Sequence, residues 1–201
     1  TIAQKANCIG IVFWVGDPSK DDKALQIDHP SCTHGLVVSL TEFKEMMWQE
    51  NFRSISEWLA NQTELSNKYV SLIVEQDGTN LNKILGYNHT CVLDKFNDDE
   101  ENSNYLANSA AKIKEFRDSE KGVTPSNTSN WYFPSVKELS LLCSGEVNIT
   151  WKGSYTTEIY NFINGQLSQI PEAIQLTSSG SYSSSSEDWE RLDQMIYLQF
   201  H

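Results

Sequence analysis

The sequence has no apolar run long enough to cross a bilayer. Its longest, Ile9–Val15, falls far short of the ~20 residues a spanning helix needs. Positive charge is scarce: 15 Lys and Arg stand against 27 Asp and Glu, a formal net charge of −12, and the isoelectric point is near 4.7. Such a chain repels phosphate backbones and anionic membrane surfaces, which argues against a nucleic-acid partner. Cysteine is sparse and scattered. Cys8, Cys32, Cys91 and Cys143 form no C-x-x-C pair, which argues against a zinc site. G-x-x-x-x-G-K, G-x-G-x-x-G and G-x-S-x-G are all missing, and His29, His34, His89 and His201 stand at no H-E-x-x-H or H-x-H spacing. The sequence therefore offers no catalytic residue, no metal site and no cofactor. No tandem repeat is visible either.

What is present suffices for a core. The 201 residues are 39% apolar and include 6 Trp, 8 Tyr and 8 Phe. The expectation is one domain spanning 1–201. The chain starts at Thr1 without a charged-then-apolar leader, so an export signal, and any lipid anchor, is expected upstream. If the cysteines were oxidised, three pairings would exist. Cys8–Cys32 is disfavoured, because each precedes a strand and the two strands are expected to pair antiparallel, ~20 Å apart at the ends of the ladder. Four buried thiols are the preferred reading.

Gly10–Val15 and Gly35–Leu40 read as short apolar strands, separated by a polar loop over 17–34. Phe43, Met46, Met47, Phe52, Ile55, Trp58 and Leu59 recur at mostly helical spacing, predicting one or two core-facing helices over 41–68. Tyr69–Val74 is strand or helix end, and 76–79 a turn. The acids of 94–104 lack the alternate-position ligands and central glycine of a calcium loop, so a solvated loop is expected. A helix over 103–117 should follow, with Leu106, Ala110 and Ile113 along one stripe. His29, His34, Asp28 and Cys32 share a loop, but free loop side chains rarely pre-organise a metal site. Sequons at Asn61, Asn88, Asn127 and Asn148 are about as frequent as chance allows.

The sharpest local signal is Trp131-Tyr-Phe-Pro-Ser-Val-Lys-Glu-Leu139. It reads as a short aromatic strand, a proline stop and a capping box of Ser135 with Glu138. Val136, Leu139, Leu142 and Cys143 then form an apolar face up to Gly145. Over 156–169, Ile159, Phe162, Ile163 and Leu167 keep a helical period through Asn164-Gly165, which argues against a hairpin there. The serine-rich 177–186 and the alternating 195–200 predict paired strands.

Taken in order, several blocks resemble a family. They are Gly10–Val15, His34–Leu40, Asp77-Gly-Thr-Asn80, Asn108-Ser-Ala-Ala-Lys112, Trp131–Leu139 and Ser181–Glu187. The resemblance is to bacterial surface proteins of the C-type-lectin-like fold, in its formylglycine-generating-enzyme-like branch. Phe133 stands where that pattern has Leu, and Ser183 where it has Trp. The resemblance implies an α+β fold with mainly antiparallel sheets, flanking helices, and first and last strands close in space. It does not carry calcium-dependent sugar binding, since Glu-Pro-Asn, Gln-Pro-Asp and Trp-Asn-Asp are all lacking. Nor does it carry the oxidase chemistry of a C-terminal cysteine pair, since the last cysteine is Cys143.

The leading functional expectation is a non-enzymatic protein of the cell surface or envelope. Its C-terminal loops, through Tyr182, Glu187, Asp188 and Trp189, would bind a glycan or protein with a stacking ring beside hydrogen-bond acceptors. The bland alternative puts Trp189 in the core. Other functional readings are a fimbrial or lipoprotein assembly subunit and, behind it, a thiol- or metal-dependent enzyme. Trp131, Pro134, Ser135 and Glu138 are read as structural.

Overall fold

β1 (Gly10–Val15) and β2 (Gly35–Ser39) pair antiparallel, from Gly10 opposite Ser39 to Val15 opposite Gly35, with a bulge between Val12 and Trp14. The computed structural model describes residues 7–44, 47–145, 148–149, 158–177, 180–191 and 194–200. The ribbon's pleat sends Ile11, Phe13 and Val38 into a packed cluster. It leaves Val12 and Val37, cross-strand partners, 56% and 44% exposed. The pairing puts Cys8 and Cys32 beyond opposite ends of the ladder. All four thiols are free, but only Cys143 is buried; the other three are half-buried, against expectation.

The 17–34 segment is not wholly loop. Asp17 caps a 3-10 turn at Pro18–Lys20, and the Asp22 carboxylate accepts from Leu25 N to start α1 (Lys23–Asp28). Helix begins late in the 41–68 stretch because Ser54 caps it: α2 (Ile55–Ala60) and α3 (Thr63–Lys68) are both short. Ile55, Trp58 and Leu59 are buried as expected, whereas Met47 and Phe52, which precede the cap, are exposed. Met46 lies outside the described residues.

After β3 (Ile73–Val74) comes α4 (Gly86–Asp98), which takes in the first part of the supposed acidic loop. α5 (Asn108–Arg117) and α6 (Val136–Ser144) follow, the latter ended by Gly145 in the left-handed region at φ 70°. α7 (Glu158–Leu167) runs straight through Gly165, so no hairpin forms. It buries Tyr160, Ile163 and Leu167, while Phe162 is exposed. β4 (Gly180–Asp188) and β5 (Met195–Phe200) make the expected antiparallel pair, and β3 joins β4 in parallel.

The described strands thus form two sheets, β1-β2 and β3-β4-β5, with two of the three ladders antiparallel. The first and last strands lie in different sheets rather than side by side. Tyr182 of β4 connects them by joining the cluster that holds Ile11, Phe13 and Val38. The largest core fills the space among α2, α4 and α5 with Ile55, Trp58, Leu59, Val92, Leu93, Phe96 and Ala110. Among the described residues no helix is long and apolar enough to cross a membrane.

Candidate functional site

Three of the five serines of β4, Ser184, Ser185 and Ser186, are interior residues, while Ser181 and Ser183 are exposed. Ser184, Ser185, Ser186 and Glu187 are all buried in succession, although a strand with one wet face alternates. A bulge between Ser183 and Glu187 breaks the period here. Each buried hydroxyl has a task. Ser184 Oγ donates to Ile196 O at 2.7 Å, Ser185 Oγ meets His89 Nδ1 at 2.9 Å, and Ser186 Oγ accepts from Val136 N at 3.1 Å. Burial pushes His89 down to about 3, so its ring is neutral. This Ser–His contact is sealed from solvent and cannot meet a substrate.

The four residues singled out from the sequence are not brought into one ring. Tyr182 sits six residues before Asp188, ~20 Å along a strand. Its hydroxyl donates to Glu42 Oε1 and accepts from Thr177 N, and burial, then Glu42, raises its pKa. Glu187 is 1% exposed. Its Oε1 accepts from Ile55 N at 2.7 Å and its Oε2 from Ser56 N at 3.0 Å. Burial pushes its carboxyl up to about 7, against the Ser56 hydroxyl and the two amides. Tyr182, Asp188 and Trp189 are half-buried, and of the four only Asp188 and Trp189 lie together at one exposed end of the strand.

That surface is the end of the three-stranded sheet. Because Ile73 lies opposite Glu187 and Val74 opposite Asp188, in parallel, the chains leave the sheet side by side. One continues into the 75–79 turn, held by Thr79 N to Asp77 Oδ1 at 2.8 Å and Glu75 N to Thr79 O at 3.0 Å. The other turns at Asp188, whose Oδ1 accepts from Glu190 N at 2.9 Å and whose N–H reaches Gln194 O at 3.0 Å. The outcome is a lip with one half-exposed indole, Trp189, and the acids Glu75, Asp77, Asp188 and Glu190. Such a lip can stack a flat face and accept hydrogen bonds.

Elsewhere the residues explain structure. A groove of about 1050 Å³ runs past the β1-β2 ribbon and Phe43, Phe116 and Trp131, whose rings pack at centroid distances of 5.5 and 6.1 Å. Among the described residues no cluster of three or more His, Cys, Asp or Glu could hold a metal. His29 lies edge-on against Tyr87, whose hydroxyl donates to Asp28, while His34 meets its neighbour Thr33.

No family model matches the sequence. The chain is 34% identical over 161 residues to the "Putative fimbrium tip subunit Fim1C" of Bacteroides ovatus, across 69% of this chain and 28% of that protein. A crystal structure of a fimbrial protein from Bacteroides ovatus matches with a TM-score of 0.75 at 27% identity, over 98% of this chain and 40% of the other. The chain is similar to bacterial fimbrial proteins. It spans well under half the length of either relative.

Three acids that organise the fold went unread or half-read in the sequence. Glu138 completes its capping box with Ser135 N at 2.7 Å, but also accepts from Gly86 N at 2.9 Å and Tyr132 Oη at 2.8 Å. Burial pushes its carboxyl up to about 7, against those donors. Asp22 accepts from Asn88 N at 2.8 Å, so α4 takes its N-terminal acceptors from two other elements. Glu42 gathers Tyr182, Thr177 and Lys44. Only the S-x-x-E spacing at 135–138 announced any of this.

Proposed function

We propose that this chain is a non-enzymatic part of a fimbrial subunit, exported to the bacterial surface, with other proteins of the fimbria as its partners. The observation that carries the reading is the structural match to a fimbrial protein over 98% of the chain. The Ser185–His89 pair is sealed from solvent and serves the packing of β4 on α4, which fits a structural role. A C-type-lectin-like fold over a single domain, 1–201, belongs to the same reading, supported by the capped block at 131–139. Within it, Asp188 and Trp189 form the contact lip for a protein or glycan and Glu187 holds it from behind, while Tyr182 lies towards the other end of β4.

The test is made in the bacterium that encodes the chain. Surface appendages sheared from intact cells should contain the protein, and cross-linking should attach it to another fimbrial subunit. Recovery in the cytosol alone would refute the proposal. Trp189→Ala should abolish any protein or glycan contact found at the lip without unfolding the domain. Unchanged binding would move the contact elsewhere.

A further inference from the structure

The groove beside the β1-β2 ribbon is far larger than the voids of a packed interior, few of which exceed a water molecule. Its lining follows β2 from Cys32 and His34, beyond one end of the ladder, to Thr41 and Phe43 beyond the other. A six-residue strand at ~3.3 Å per residue makes it ~20 Å long, so a volume of about 1050 Å³ gives a mean cross-section of ~50 Å². That is too wide for a single acyl chain and suits a chain of sugar rings or an extended peptide. One wall is the ribbon, where Val12 and Val37 stand exposed. The 124–134 segment forms another, and Phe43 and Trp131, both half-buried, supply aromatic faces.

Charge and hydrogen bonding separate the two occupants. In a chain of net charge −12, the 123–134 segment carries no ionisable Asp, Glu, Lys, Arg or His. Of the carboxylates in the lining, Glu42 pairs with Lys44 at 3.1 Å, and buried Glu138 is spent on its own donors. The polar groups on offer are neutral. Asn127 and Ser129 lie beside Cys32, while Ser181 and Ser183 flank Tyr182 at the ribbon's other end. The side chains of these four bond to no other described residue. A peptide strand would instead need a row of unpaired backbone groups. That row is broken: Thr128 N donates to Pro125 O at 3.0 Å, Phe133 N to Thr90 Oγ1 at 2.9 Å, and Ser185 N to Pro134 O at 2.7 Å. Across the groove, Leu40 O already accepts from Ile174 N at 2.9 Å. We propose that the groove binds an uncharged oligosaccharide, its rings against Phe43 and Trp131 and its hydroxyls bonded to Asn127 and the exposed serines. At ~5 Å per ring, about four units fill it. The site runs along the ribbon and is separate from the Asp188–Trp189 lip.

The experiment is a calorimetric titration of the whole chain with neutral oligomers of glucose, mannose and N-acetylglucosamine, from single sugars to hexamers. At least one series should bind, with affinity climbing to about four units and then levelling off. Binding should change less than about twofold between ~50 and ~500 mM salt, since no ion pair forms. Asn127→Ala and Ser183→Ala, both at exposed residues, should each weaken it about fivefold or more without moving the unfolding midpoint. Trp189→Ala should leave it intact. No binding by any series at ~10 mM would overturn the proposal. So would binding confined to charged sugars and lost in high salt, or binding lost in Trp189→Ala but kept in Asn127→Ala. The fimbrial reading has its own test in the sheared appendages and does not depend on this result.

Discussion

Replacing Glu138 with alanine would take the acceptor from four donors at once: the Ser135 hydroxyl, which has a second acceptor in Lys83 O, and three others. Gly86 N, Ser135 N and Tyr132 Oη lie 2.9, 2.7 and 2.8 Å from its carboxylate, and the residue is 1% exposed. A buried donor left unpaired costs ~1–3 kcal/mol. Three of them near the low end of that range give about 3–5 kcal/mol, a large part of the ~5–15 kcal/mol that holds a domain folded. The loss should depend on pH. The carboxyl is raised from 4.5 to about 7 in the folded protein by burial, so the folded state holds the proton more tightly than the unfolded one. Its contribution is therefore complete below ~4.5 and declines as pH rises through 7. Urea unfolding followed by tryptophan fluorescence should show the larger destabilisation at pH 5, and a smaller one at pH 8. Glu138→Gln, which keeps one acceptor and cannot ionise, should be milder and should flatten the dependence of stability on pH. A loss under ~1 kcal/mol at pH 5, or a larger loss at pH 8, would refute this account.

Ser135→Ala should lower stability by ~1–2 kcal/mol in thermal or urea unfolding, because the hydroxyl caps α6, and should leave lip binding intact. Cys143, buried and with its thiol pKa raised by burial, should escape alkylation at pH 8 in the native protein and react once denatured, as read by peptide mass spectrometry. Phe162→Ser should shift the unfolding free energy by no more than ~0.5 kcal/mol, since the ring is 58% exposed. A larger loss would restore Phe162 to the core.

Where the signal was local, the sequence could be read. The capping box at Ser135 and Glu138, the closing pair of strands and the ribbon at 10–15 and 35–39 each announce themselves within a few residues. α4 does not. Its N-terminal amides are satisfied by Asp22 and Glu138 from elsewhere, and it buries Asn88, His89 and Thr90 beside only a few large apolar residues. The apolar period is therefore diluted, and no capping residue precedes Gly86. The same cause hid the fate of Glu187. An acid at the end of a serine-rich strand reads as a surface group, and only the packing of α2 against β4 reveals two amides in need of an acceptor. Trp131–Phe133 is extended but has no ladder partner. Its hydrogen bonds go to the Thr90 hydroxyl instead, so the aromatic strand expected there does not form.

The distant acceptors also govern how the chain can acquire its shape. Ile55 waits for a residue 132 positions later, Gly86 for one 52 later, and Asn88 for one 66 earlier. Closing such loops is slow, because the entropy is lost before the contact forms. A growing polypeptide cannot complete α2 until β4 has been made. A chain stopped before β4 would not settle into a smaller version of the domain. It would leave α2 starting from unpaired amides and His89 without its serine, a form that proteases would clear.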